Sequence, residues 1–150
     1  MYPQLSARAP ADPGRGPQTG SAMYVGDDIV AVRRLEAHFS ADSGLSMIPV
    51  MDSRFAAQLA RGNPPDVILL ERRGIETVEL VWELRAHAAT RAIPVVLLAT
   101  EPDSAQGRGY LAAGVNVCSP DPIGTPAFHQ AMPSWFALPS VDPAVAQPGS

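Results

Sequence analysis

Pro64-Pro65-Asp66-Val67-Ile68-Leu69-Leu70-Glu71, residues 64–71, sets four large apolar side chains in a row between a proline pair and a charged residue. A strand with one wet face alternates apolar and polar positions, so an unbroken run of this length predicts a strand buried on both faces. Glu71-Arg72-Arg73-Gly74 ends it. The pattern returns at Pro94-Val95-Val96-Leu97-Leu98-Ala99, a second strand expected to be buried on both sides. Between the two, a helix is expected from about Glu76 to Ala88, with Val78, Val81 and Leu84 toward the core.

Working outward, Ala22-Met23-Tyr24-Val25 reads as a short buried strand that ends at Gly26-Asp27-Asp28. Residues 29–39, IVAVRRLEAHF, carry Ile29, Val32, Leu35 and Phe39 at helical spacing, with Arg33 and Arg34 on the wet side. Leu45 to Met51 is a further strand, placed at a sheet edge by Pro49. Asp52 can cap a helix through about Arg61, closed by Gly62-Asn63-Pro64-Pro65. After the 94–99 strand, Asp103 with Gln106 reads as a capping box for a helix to Ala113, closed by Gly114. Gly107 and Gly109 should weaken that helix by about 1 kcal/mol each relative to Ala. Val115 to Cys118 is a fifth strand, and Pro126 opens a last helix expected to be short or kinked at Pro133. Five strands alternating with five helices predict a parallel sheet covered by helices on both faces.

The flanks differ from this middle. Residues 1–21 and 139–150 are rich in Pro, Gly and Ser and poor in large apolar side chains, so they are expected to be a flexible arm and tail around a domain at 22–138. Apolar residues make up 46% of the 150, enough for one ordinary core. A formal net charge of −4 argues against a nucleic-acid surface. All eleven basic residues are arginine, so no mechanism that needs a lysine ammonium is open. Cys118 stands alone, which excludes an intrachain disulfide and a cysteine zinc cluster. The sequence has neither a secretory signal nor an apolar run long enough to span a membrane, and a cytoplasmic location is expected.

In open parallel sheets the functional pocket lies at the carboxyl ends of the strands. The residues there are Asp27 and Asp28, Glu71, Ala99 and Thr100, and Asp121. At these positions the chain resembles the receiver domains of bacterial two-component response regulators, over about 115 residues. The acid pair Asp27-Asp28 followed by Arg33-Arg34 is similar to the family's first-strand signature. PPDVILLE (64–71), RAHAATRAIPVVLLAT (85–100) and LAAGVNVCSPDP (111–122) are similar to its third-, fourth- and fifth-strand signatures, in order and at family spacing. The resemblance implies a flavodoxin-like (βα)5 fold of strand order 2-1-3-4-5.

It also implies a chemistry that these residues do not supply. Family function uses a magnesium-binding acid pair, a phosphate-accepting aspartate, a hydroxyl residue, a switching aromatic and a lysine. The acid pair is present. Glu71 stands at the acceptor position, Ala99 at the hydroxyl position, Cys118 at the aromatic position and Asp121 at the lysine position. Glu71 is one methylene too long for in-line geometry beside a metal. Thr100, offset by one residue from Ala99, should face the wrong way unless the strand is bulged. Four carboxylates (Asp27, Asp28, Glu71, Asp121) are expected to converge on the pocket mouth. Arg72 and Arg73 on the adjoining loop would then pair with them in preference to a tight metal site. No cofactor is expected beyond weak divalent cation binding, such as magnesium, at Asp27, Asp28 and Glu71.

The reading that follows is a stand-alone, non-catalytic, phosphorylation-independent interaction module with a signalling protein as partner and homodimerisation as an option. Nucleic acid and membrane are not expected as partners. Two alternatives stay open: a ligand-sensing receiver that binds an anion such as a cyclic dinucleotide through arginines, and residual phosphoacceptance on Asp27 or Asp28. Arg72, Arg73 and Trp82 are the candidate interaction residues, Trp82 either packing against Val78 one turn back or anchoring a partner. Trp135-Phe136 is likewise divided between core and interface. His38, His87 and His129 read as ordinary helix histidines.

Overall fold

The computed structural model describes residues 20–40, 44–71 and 75–138. Among these the order is β1 (Gly20–Val25), α1 (Ile29–Ser40), β2 (Leu45–Val50), a 3-10 turn (Ser53–Phe55) and α2 (Ala56–Gly62). β3 (Val67–Leu70), α3 (Ile75–Ala86), β4 (Val95–Leu98), α4 (Ala105–Ala113), β5 (Val117–Ser119) and α5 (Pro126–Phe136) follow. All pairings are parallel and the strand order is β2-β1-β3-β4-β5, the flavodoxin-like arrangement expected from the sequence. β3 and β4 are buried at every position, and Pro49 lies exposed on the edge strand β2. β1 opens at Gly20, two residues inside the stretch read as an arm.

Alternation along the strands splits the core in two. Met23, Val25, Ile68, Leu70, Val95 and Leu97 face one side and pack under α2, α3 and α4. Ala22, Tyr24, Val67, Leu69, Val96 and Leu98 face the other, under α1 and α5, where Leu35, Phe39, Phe128, Met132 and Trp135 complete the layer. Trp135 is therefore core, its ring edge-on to Phe128. Ile29, by contrast, stays 54% exposed; Ala31 takes the inward place in the first turn of α1. α5 runs through Pro133 as one helix, with Thr125 accepting from the Phe128 amide at its start and Pro126 in the first turn, where a missing N–H costs nothing. Ser104, not Asp103, caps α4: its hydroxyl accepts from the Gly107 amide and donates to the Glu101 carbonyl, so the cap sits one residue later than the Asp103–Gln106 pattern implies.

Candidate functional site at the carboxyl ends of the strands

The rim is assembled by the ladder itself. The Gly26 amide donates to Val50 O, the Glu71 amide to Val25 O and the Thr100 amide to Ser119 O, which brings the β1, β3 and β4 ends to one level. Asp27 and Asp28 are exposed there, and Glu71 and Asp121 half-buried. Among the described residues, however, no three acidic, histidine or cysteine side chains come together as a metal-holding group. Two of the acids are held by other bonds. Asp28 caps α1, its Oδ1 accepting from the Val30 amide at 2.9 Å and the Ala31 amide at 3.3 Å. A carboxylate at that place satisfies orphan helix donors and meets the positive end of the helix dipole.

Glu71 is held by a residue that inspection of the sequence misses. Tyr24 belongs to the buried face of β1, yet its hydroxyl reaches the rim and donates to Glu71 Oε1. Gly26 makes this possible: a Cβ there would stand 2.5 Å from Tyr24 Oη and 2.8 Å from its Cζ. Residues 24 and 26 share one face of the strand, so only glycine lets the ring lie along it. Burial, followed by the hydrogen bond to Glu71 and the charges of Glu71 and Asp28, pushes the Tyr24 phenol well above its ordinary value, while the Asp28 backbone amide pulls weakly the other way. The available signal was a tyrosine in an otherwise buried strand, whose hydroxyl must find a partner.

That phenol makes stability depend on pH at the alkaline end. A tyrosine whose folded pKa is raised contributes stability that is complete below its unfolded pKa of about 10 and is lost as pH rises beyond it. Urea denaturation of wild type and Tyr24→Phe should therefore differ by about 1–2 kcal/mol at neutral pH. The difference should hold to about pH 10 and shrink above it. A difference that grows with alkalinity would show that the hydroxyl is not held in this way.

Ala99 and Thr100 also depart from simple alternation. Ala99 has φ +56°, in the left-handed region that a side chain other than glycine enters at a cost of about 1–2 kcal/mol. The turn at Ala99 breaks the strand period and buries Thr100, whose hydroxyl donates to its own strand at Leu98 O, 3.1 Å away. The Thr100 proton is thus already engaged. Cys118 is buried beneath α4, 3.7 Å from Gly107 O, and burial raises its thiol. Arg72 and Arg73 lie outside the described residues. Arg34, read as solvated, donates to Ile123 O and ties α1 to the loop before α5. His38 and His129, far apart in sequence, stack with ring centroids 4.3 Å apart and join the same two helices.

Trp82 is 57% exposed on the outer face of α3. At the opposite end of the sheet, Arg85 does the reverse. Its guanidinium turns inward and makes five hydrogen bonds, to Arg91 O, Ile93 O, twice to Gly114 O, and to Asn116 Oδ1. Burial lowers its pKa from the free value.

No protein-family model matches the chain, and no curated protein matches it. Solved structures do. The receiver domain of a sensor histidine kinase from Pseudomonas aeruginosa, described with magnesium coordinated in its active-site cleft, superposes with a TM-score of 0.67 at 21% identity, covering 80% of this chain and 99% of that one. The chemotaxis response regulator CheY4 of Vibrio cholerae gives 0.65 at 21%, over 79% and 99%. A two-component response regulator of the LuxR family from Aurantimonas gives 0.65 at 19%, over 87% and 94%. The chain has the receiver fold.

A magnesium ion, which that fold implies, meets a weakened set of ligands among the described residues. One oxygen of Asp28 is spent on the α1 cap and one oxygen of Glu71 on Tyr24, and no third acid joins them among the described residues. Magnesium keeps most of its waters and is held through one or two carboxylates, so the engaged oxygens of Asp28 and Glu71 leave it a poor anchor here.

Proposed function

We propose that this is a pseudo-receiver: a non-catalytic domain that takes part in signal transduction through contact with another protein and without being phosphorylated. The observation that carries the reading is the bond from Tyr24 to Glu71, which fills the acceptor position with an internal partner. Phosphoryl transfer is catalysis by positioning and charge neutralisation. Here one oxygen of the carboxylate at the acceptor position is engaged, the hydroxyl of Thr100 is bonded to its own strand, and the sequence contains no lysine to tie down a phosphoryl oxygen. An α/β sheet that keeps its fold while its acceptor position is engaged internally can still present surfaces, and these support a role in contact with another protein.

Incubation with acetyl phosphate and magnesium, followed by intact-mass measurement, tests this. The mass should not change. An adduct of about 80 Da, the mass of one phosphoryl group, would overturn the reading, and its location on Asp27 or Asp28 would name the residual acceptor.

A further inference from the structure

The outward face of α3 breaks the ordinary rules of a solvated helix. Glu76, Glu79, Trp82 and Glu83 are all exposed on it. Glu76 and Glu79 stand three apart, and Glu79 and Glu83 four apart, spacings at which like charges repel by about 0.2–0.5 kcal/mol per pair. The helix has one base, Arg85, and its guanidinium is turned inward onto backbone carbonyls and Asn116. Among the described residues, Arg61 of α2 reaches Glu83 at 3.3 Å, and Arg54 of the 3-10 turn, near Glu76, is committed first to Asp52 at 2.6 Å. In the midst of these carboxylates lies an indole more than half exposed. Nothing in the packing of the domain calls for either feature, and local rules broken without a folding gain are expected at functional surfaces.

We infer that this face of α3 docks an arginine-bearing segment of a partner protein, with a guanidinium stacked on Trp82 and forked onto the carboxylate of Glu79 or Glu83. The inference rests on the interaction-module reading and gives it a surface. Arginine is the cation that suits both halves of the site, because its plane stacks on an indole while its edge offers paired donors to a carboxylate. Lysine, a compact ammonium, offers a point charge and no planar fork. Anionic lipid and nucleic acid meet three carboxylates here and are repelled.

The full chain can be tested by fluorescence anisotropy with a fluorescein-labelled helical peptide carrying arginines four residues apart, and with its lysine twin. Wild type should bind the arginine peptide more tightly than the lysine one. Trp82→Ala and Glu79→Arg should each weaken binding about tenfold or more, Trp82→Phe should retain most of it, and Glu36→Arg, on exposed α1, should change it by less than about twofold. No binding to wild type, equal binding to Trp82→Ala, or an equal loss in Glu36→Arg would overturn the inference. The last of these would mean that only net charge is read. Circular dichroism melts confirm that each variant is folded. Phosphoryl uptake from acetyl phosphate would remove the interaction-module reading itself, whereas a failed peptide experiment with no phosphoryl uptake removes only this face.

Discussion

Replacing Arg85 by alanine should destabilise the domain by about 3–4 kcal/mol, a large share of what a domain of this size possesses. The five bonds of the guanidinium gather two separate pieces of chain: the Arg91–Ile93 approach to β4, and the Gly114–Asn116 connection between α4 and β5. Asn116 Oδ1 also accepts from the Val95 amide at 2.7 Å, so disorder there would reach the first residue of β4. Without the guanidinium, carbonyls beside buried Ile93 and half-buried Gly114 lose their donors and cannot all regain water. Arg85→Lys should recover only a minor part, because a compact ammonium has no planar fork to reach the acceptors on both segments at once. Urea denaturation at neutral pH measures this. A loss below about 1 kcal/mol for Arg85→Ala would mean that these bonds are replaced by solvent at little cost.

Gly107→Ala should cost about 2–4 kcal/mol, while Gly109→Ala, two residues on in the same helix, should stabilise by about 0.5–1 kcal/mol. A Cβ on Gly107 would lie 2.1 Å from the Glu101 carbonyl oxygen and 3.0 Å from both the Glu101 carbonyl carbon and Pro102 Cα. These are backbone atoms, so the clash is relieved only by moving the loop after β4 or tilting α4. At Gly109 an added Cβ meets nothing within 4 Å and gains ordinary helix propensity. Thermal or urea melts of the two single variants should therefore shift in opposite directions. Two shifts of the same sign would contradict the close approach of α4 to the β4 loop.

The two glycines also illustrate what a sequence can convey. Propensity treats Gly107 and Gly109 alike, as equal weaknesses in a helix, since the difference between them lies in a loop that only the tertiary structure brings near. The strands were legible because burial on both faces imposes an unbroken apolar run, as at Val67–Leu70 and Val95–Leu98, and no other short element needs one. The places of Asp27, Asp28, Glu71 and Ala99 at the rim were legible too, because they follow those runs directly. What each side chain binds was not. Asp28 serves a helix cap, Asp103 yields the next cap to Ser104, and Tyr24 reaches forward past Gly26 to Glu71. A side chain that reaches two residues along its own strand leaves no periodic trace. Arg85, at an ordinary helical position, gave no sign that its charge would be buried.

One contact within the receiver fold, Tyr24 holding Glu71, carries the pseudo-receiver reading, and the carboxyl carbon of Glu71 reports on it. With glutamate labelled at the side-chain carboxyl, magnesium can be titrated into wild type and Tyr24→Phe while the carbon-13 shift of Glu71 is followed by NMR. The expected result is a Glu71 signal in wild type that does not move with excess magnesium and that changes position when the Tyr24 hydroxyl is removed. A saturable magnesium-dependent shift of that signal in the wild type, unaffected by Tyr24→Phe, would mean that the carboxylate is open to a metal and that the site is not sealed.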